Sequence, residues 1–270
     1  MSGYPELIFP VNHVEPVPRR IRGMLHDHVV LDSTEAIYVW DSPYYPQYYI
    51  PMVDIDAEVL IDEEHEEHLR WGTAKRYGVS FEGVTRPGVA HYYTASDVEG
   101  VEGTVRFNWS ALDSWFEEDE EIFVHPRNPY ARVDALRSTR LVQIKFEGSE
   151  LARSSSTVMV FETGLPTRYY FNRTEVDFRQ LVESETTSAC PYKGETSAYW
   201  SGSFGDQIVP DIAWSYGYPN GQLQAIAGLV AFYNEKVDVL IDGVREEQPA
   251  TRFSEAYQSL QMMESRKGAP

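Results

Sequence analysis

Short apolar runs, rich in β-branched and aromatic residues and broken at close intervals by turn residues, fill the chain from residue 19 to residue 247, and their order occurs twice. The first half opens with runs at 20–25 and 29–32 around the turn His26-Asp27-His28, then a third at 36–40. The second half repeats this with 141–146, the turn Glu147-Gly148 and 158–161. Such runs between turn residues predict strands. Further strands are predicted at 79–81, 90–94 and 103–108 in the first half and at 197–204 and 207–213 in the second, with Gly205-Asp206 as a hairpin turn. A short helical turn is expected in each half, over 53–60 and 174–181.

One longer helix is predicted in each half. Over 222–236, after the start signal Pro219-Asn220-Gly221, the residues Leu223, Ile226, Leu229, Val230, Phe232 and Tyr233 surround most of a helix circumference, a mark of deep burial. Over 112–123, Leu112, Trp115, Phe116, Ile122 and Phe123 share one helical face, Glu117-Glu118-Asp119-Glu120-Glu121 fall largely on the other, and Pro126 enforces a stop. A closing strand, 133–136 or 237–241, ends each half. The expectation is a mainly β (α+β) protein of two tandem domains, each with small antiparallel sheets and one long helix. The copies are expected to pack through those helices with pseudo-two-fold symmetry, as an internal pseudo-dimer. Residues 1–18, with four prolines, read as an extended N-terminal arm, 19–138 as the first copy, 139–247 as the second, and 248–270 as a C-terminal tail with a helix over 254–264.

The repeat is legible residue by residue. Trp40-Asp41-Ser42-Pro43-Tyr44-Tyr45-Pro46-Gln47-Tyr48-Tyr49 aligns without a gap on Phe161-Glu162-Thr163-Gly164-Leu165-Pro166-Thr167-Arg168-Tyr169-Tyr170, and Val133-Asp134-Ala135-Leu136 aligns on Val237-Asp238-Val239-Leu240. Between those anchors the second copy carries Cys190-Pro191-Tyr192-Lys193-Gly194, for which the first has no counterpart. The net charge of −19 repels phosphate backbones and argues against nucleic acid as a partner. The longest apolar stretch, 225–233, is too short to span a bilayer, and the first residues lack a basic segment followed by an apolar one. A soluble, cytoplasmic protein with no membrane partner is expected. A single cysteine excludes an internal disulfide and a multi-thiolate metal site, so neither a metal nor a cofactor is expected.

The ordered motifs 161–170, Cys190-Pro191-Tyr192-Lys193-Gly194, Tyr199-Trp200, Ala213-Trp214-Ser215-Tyr216 and 227–233 resemble the family known as domain of unknown function 427. His125-Pro126-Arg127-Asn128-Pro129-Tyr130 resembles the close of the first domain in its two-domain members. The resemblance implies a β-tent-like fold, in which two small antiparallel sheets meet at an angle, the fold group of cereblon's ligand-binding domain and methionine sulfoxide reductase B. Zinc is common in that group but needs cysteine pairs that this chain lacks. A nucleotidyltransferase label is sometimes attached to the family, and the resemblance implies no established activity.

The second-copy loop carries the first candidate chemistry. Pro191 fixes one backbone angle and Gly194 permits a tight turn, so Cys190 and Lys193 can be held together. An ammonium near a thiol favours the thiolate, the form that attacks electrophiles. Cys190 would then be nucleophile or redox thiol, with Lys193 and Arg168 supplying charge. The plainer reading is a small buried thiol beside a structural turn, with Lys193 in solvent or paired with Glu195. All seven histidines lie within residues 1–138, so a histidine partner would come from the first copy, His125 or His91. Around the loop, Tyr169, Tyr170, Tyr192, Trp200, Trp214, Tyr216 and Tyr233 could line a cleft for a planar or cationic small molecule, oriented by Arg168, Lys193 and Glu162. The alternative is core packing of a tyrosine-rich sheet, in which adjacent Tyr169 and Tyr170 must face opposite ways.

Two acidic pairs at matching offsets, Asp54-Ile55-Asp56 and Glu175-Val176-Asp177, could hold a divalent ion for nucleotidyl transfer. Both fall where a helix start is predicted, and acids there complement the helix dipole. Glu63-Glu64-His65-Glu66-Glu67-His68 reads as a solvated loop or helix end rather than a metal site. Three functions stand: a small-molecule site in the second copy with or without thiol chemistry, a metal-dependent nucleotidyltransferase, and a non-catalytic structural or interaction module. Association into a homo-oligomer is left open.

Overall fold

The computed structural model of the chain describes residues 4, 5 and 7–251. They form two units, one of residues 8–129 and one of the described part of 130–270 together with the residues before Ile8. Each unit is built on two antiparallel sheets, and the two use one strand order.

In the first unit a seven-stranded sheet runs, edge to edge, Val14–Pro16, Ile37–Val39, Gln47–Pro51, Thr104–Phe107, Val84–Ser96, Gly72–Phe81 and Leu60–Leu69. Its four-stranded companion runs Glu120–Ile122, Ser114–Glu117, Ile21–Leu25 and His28–Ser33. In the second unit the seven strands are Val133–Arg137, Val158–Glu162, Arg168–Phe171, Val230–Phe232, Gln207–Ser215, Ala198–Phe204 and Leu181–Ser184. The four are Ser149–Ser154, Val142–Phe146, Asp238–Ile241 and Val244–Arg245. The seven-strand orders coincide position by position. The hairpin of Ala189–Cys190 with Gly194–Glu195 is an addition of the second unit.

Strand periodicity sorts the second unit's side chains onto two faces. Tyr169, Phe171, Trp200, Ala213, Val230 and Phe232 enter a core shared with Val142, Ile144, Val239 and Ile241 of the four-stranded sheet. Their chain neighbours Val158, Val160, Tyr170, Tyr199, Trp214, Tyr216 and Ala231 pack on the opposite face with Leu223 and Ile226. A sheet buried on both faces needs strands that are apolar almost throughout, which is what the run around Val230 provides.

Neither long helix forms. The helical segments among the described residues are short 3-10 turns: Met52–Asp54, Trp109–Ala111, Arg173–Glu175, Phe178–Gln180 and Gly221–Ile226. Over 222–236, Gly228 takes φ +71 and ends the turn, after which Val230–Phe232 pairs between Arg168–Phe171 and Gln207–Ser215. Apolar residues all around a helical wheel fit a doubly buried strand equally well. Over 112–123, Glu118 at φ +54 turns the chain into a hairpin of Ser114–Glu117 with Glu120–Ile122. Trp115 and Glu117 both point inward there. The Glu117 carboxylate accepts from Tyr48 Oη at 2.8 Å and Arg127 Nε at 2.9 Å, and pairs with Arg19. Partners distant in sequence thus bury an acid that local pattern assigned to solvent. The helices expected to join the copies are therefore absent.

Three smaller expectations change as well. The strand Val133–Arg137 does not close the first copy; it pairs with Val158–Glu162 as the edge of the second unit's large sheet, the place that Val14–Pro16 holds in the first. The counterpart of Asp238–Ile241 is Ser114–Glu117. The acidic stretch from Glu63 to His68 is an edge strand within Leu60–Leu69, and its charges suit an edge that must not pair further. The helix expected over 254–264 lies outside the described residues. No helix among the described residues is long and apolar enough to cross a membrane.

Candidate functional site

Cys190 pairs with Gly194 across the added hairpin, and Lys193 N donates to the Cys190 carbonyl at 3.3 Å. Gly194 takes φ +92, and a Cβ there would lie 3.1 Å from Asn220 Oδ1, so the turn depends on glycine. Asn220 clamps the loop: its N–H donates to the Lys193 carbonyl at 3.1 Å and its Nδ2 to the Pro191 carbonyl at 3.3 Å. The base is tied by Thr196 N to the Ser188 carbonyl and by Ser188 N to Thr196 Oγ1, both at 2.9 Å.

This loop folds its lysine inward. The Lys193 ammonium is buried and pairs with the buried carboxylate of Glu162, at the end of Val158–Glu162. Neither the solvated lysine nor the pair with Glu195 occurs. Cys190 Sγ lies 3.8 Å from Lys193 Nζ, and the cysteine itself is half-buried. Burial alone would depress the Lys193 pKa; negative charge at Cys190 and Glu162 outweighs it and lifts the group above its ordinary value. Lys193 is therefore a fixed positive charge at neutral pH.

Two tyrosines complete the cluster. Burial pushes the Tyr170 phenol up to about 12, with the Lys193 charge opposing, and the side chain is fully enclosed. Trp214 is close enough to influence that phenol yet completes no hydrogen bond with it, and Tyr170 Oη has no partner among the described residues. Tyr216 is raised well above its ordinary value, first by burial, then by negative charge at Tyr170 and Cys190. Tyr199 Oη lies 2.7 Å from Ser188 Oγ and 3.2 Å from Tyr233 Oη.

Other expected site residues are placed elsewhere. Arg168 donates both terminal nitrogens to Glu235, at 2.6 and 2.7 Å, beneath Trp214 and Tyr233, whose ring centroids lie 5.7 and 5.5 Å from its guanidinium carbon. Burial would raise the Glu235 carboxyl, but the Arg168 hydrogen bonds and charge hold it below its ordinary value. The cation for this aromatic cluster is thus the protein's own, and its charge serves Glu235 rather than Cys190. Trp200 faces the other core, edge-on to Phe178 at 5.5 Å and under Arg173 at 5.1 Å. Tyr192 is half-buried in the loop. His125 stacks on Tyr45 at 3.8 Å with its Nδ1 2.7 Å from the Pro126 carbonyl, and His91 Nε2 lies 3.3 Å from Glu67.

The acidic pairs make the same local bonds in both units. Ser33 Oγ donates to Asp54 at 2.6 Å and Ser154 Oγ to Glu175 at 2.7 Å. Asp56 N donates to the Val30 carbonyl and Asp177 N to the Leu151 carbonyl, both at 2.8 Å. Asp56 then engages His28, and Asp177 engages Arg179 and Gln180. These carboxylates fix 3-10 turns, and no cluster of three or more His, Cys, Asp or Glu among the described residues could hold a metal ion.

The residues that hold the loop and the neighbouring ion pair without having been named as site residues are Asn220 and Ser188 at the loop and Glu235 at Arg168. Asn220 had a signal, since Asn between Pro and Gly marks a turn as readily as a helix start. Glu235 had none, because its partner Arg168 is far away in sequence.

The family model described as a domain of unknown function, DUF427, matches the chain twice, over residues 13–118 and 134–243. The chain belongs to that family, as two tandem copies. No curated protein matches it.

Proposed function

We propose that the second copy binds and reacts with a small electrophile at Cys190, which acts as the nucleophile. Lys193 supplies the adjacent positive charge, Glu162 holds that lysine in place, and Tyr192 and Tyr216 shape the approach. Tyr218, 95 % exposed, offers a flat face next to the loop, where its carbonyl lies near Gly194. The observation behind this reading is that the first copy builds the same seven-strand order with no such loop. The fold therefore does not need the buried ammonium and carboxylate, whose desolvation apolar packing would avoid.

The test is alkylation of Cys190 by iodoacetamide, followed by intact mass, in the folded chain and in urea. Faster reaction in the folded chain supports the reading, and so does its loss in the paired variant Lys193→Met with Glu162→Leu. Slower reaction in the folded chain overturns it.

A second reading, a non-catalytic module, is favoured by the completeness of the Arg168 pair with Glu235 and of the Asn220 clamp. On that reading Cys190 is inert and the loop only packs. Nucleotidyl transfer draws no support from acids that make the same structural bonds in both copies.

A further inference from the structure

We infer that Tyr4 is a releasable latch on the second copy: docked, it stiffens the turn after Glu162 and so the pair that fixes Lys193, and undocked it loosens both. The inference goes beyond the thiol reading and does not need it. Asp134 and Phe161 sit directly opposite each other where the edge strand Val133–Arg137 pairs with Val158–Glu162. The Tyr4 ring packs at that position, 6.3 Å from the Phe161 ring, and its hydroxyl donates to the Asp134 carboxylate. The Arg132 guanidinium carbon lies 5.1 Å from the Tyr4 ring centroid, and Arg132 Nε is 2.8 Å from Asp134. The Gly164 N–H donates to the Tyr4 carbonyl at 2.9 Å. Side chain and backbone of Tyr4 are thus both engaged by the second copy.

The first copy builds the same cap from its own sheet. The Phe9 ring lies 4.8 Å from that of Trp40, and the Phe9 N–H donates to the Pro43 carbonyl at 2.9 Å. Trp40 and Pro43 are the residues that align on Phe161 and Gly164. A ring on the same strand residue and a backbone bond to the same turn position therefore recur, but the ring has a different source. Phe9 leads straight into the strand Val14–Pro16, with Asn12 N–H donating to the Trp40 carbonyl and Trp40 N–H to the His13 carbonyl on the way. Val14 faces Val39 as Ala135 faces Val160, and this register carries the alignment back to set Tyr130 on Phe9. Tyr130 is 49 % exposed, and Tyr4, which precedes the whole first copy in sequence, supplies a ring to Phe161. A cap not continuous with the sheet it covers can leave without unfolding that sheet. Its polar contacts lie near solvent, with the Arg132 side chain 68 % exposed and Tyr4 half-buried, and such contacts contribute little each. Opening is therefore easy compared with unfolding.

What the latch holds is the turn after Glu162. Thr163 N–H donates to the Arg132 carbonyl and Arg132 N–H to Thr163 Oγ1, both at 2.9 Å, and Leu165 N–H donates to the Glu162 carbonyl at 3.1 Å. Tyr4, Arg132, Thr163 and Gly164 form one bonded group, and Glu162 is the next residue along the chain. The Glu162 carboxylate holds Lys193, whose N–H closes the loop onto the Cys190 carbonyl. Loosening the turn loosens that carboxylate, and the loop follows.

The experiment is amide hydrogen exchange by NMR on the full chain, wild type against Tyr4→Ala and Phe9→Ala. Tyr4→Ala is expected to speed exchange about 10-fold at Thr163 and Gly164 and about 3-fold at Lys193, with Asn12 and Trp40 changing less than about twofold. Phe9→Ala is expected to do the reverse, speeding Asn12 and Trp40 and lowering the melting temperature, since it uncovers a fully buried tryptophan. Unchanged exchange at Thr163 and Gly164 in Tyr4→Ala overturns the latch. A rise there with Lys193 unchanged shows that the latch does not reach the loop, which overturns the inference as well. An equal rise at Asn12 and Trp40 means general destabilisation and has the same consequence. Every readout is a backbone amide, so slow alkylation of Cys190 would sink the thiol reading and leave the latch standing.

Discussion

Asp41 and Glu162 stand at the same step of the repeated strand pair, and each anchors polar groups beside a buried tyrosine. Asp41 accepts from Trp71 Nε1 at 2.6 Å, Tyr49 Oη at 3.0 Å and Arg106 Nε at 3.1 Å. Glu162, one methylene longer, is turned to Lys193, and Tyr170 is left without a partner. In the first copy the acid is consumed by the sheet around it. In the second it holds a lysine delivered by an added loop, and that lysine brings a half-buried thiol. One fold thus accommodates both arrangements, so the difference between them reflects something other than folding.

The largest expected effect comes from the acids. Glu162→Ala strands a buried ammonium and is expected to cost about 3–5 kcal/mol by chemical denaturation, whereas replacing both partners with apolar residues recovers most of it. Asp41→Ala strands the buried Tyr49 hydroxyl but leaves Trp71 and Arg106 half-buried, with Arg106 still bonded to Asn108, and should cost less, about 1–3 kcal/mol. An equal or larger loss at Asp41 would break the contrast.

Alkaline stability comes next. A lysine raised in the folded state stabilises fully below its unfolded pKa, about 10.4, and that contribution is lost as pH climbs toward the higher folded value. Tyr170, pushed up to about 12, acts in the same direction above about 10. Each group can remove up to roughly 1.4 kcal/mol per pH unit in that window. The Lys193→Met with Glu162→Leu variant should flatten the decline. A profile already falling between pH 7 and pH 9 would have to come from other groups.

The tyrosines give the sharpest test because the sign should reverse. Tyr49→Phe removes a made hydrogen bond and is expected to destabilise by about 1 kcal/mol, while Tyr170→Phe removes an unpaired hydroxyl and should stabilise by about 1 kcal/mol. Melting temperatures moving the same way in both variants would mean that Tyr170 is satisfied. The smallest effect belongs to Cys190→Ser, expected to change stability by no more than about 0.5 kcal/mol while abolishing thiol labelling.

The hairpins and their turns were legible because alternation and turn residues are local signals. The gapless match of 40–49 on 161–170 holds in the sheets: Tyr48 sits opposite Tyr38 as Tyr169 sits opposite Met159. The helix expected over 222–236 gives way to a strand because an all-round apolar run fits both a buried helix and a doubly buried strand. The one expected over 112–123 gives way to a hairpin because Glu117 reads as surface until Arg19, Arg127 and Tyr48 arrive from elsewhere in the chain. The joining of Cys190 and Lys193 was also local, being set by the loop they share. The assignment of Trp200 and Arg168 to the same site was not, because strand register sends Trp200 to the opposite face and Glu235 claims Arg168.

By itself the sequence determined the duplication, the predominance of strands, the asymmetry of one loop and the solitary thiol. All of these rest on residue type and short spacing. Only the tertiary structure decided that Lys193 turns inward to Glu162, that Arg168 is already paired, and that the buried Tyr170 phenol lacks a partner among the described residues. Those outcomes depend on which side chains meet across strands far apart in sequence, and on the burial that makes an unmade bond costly.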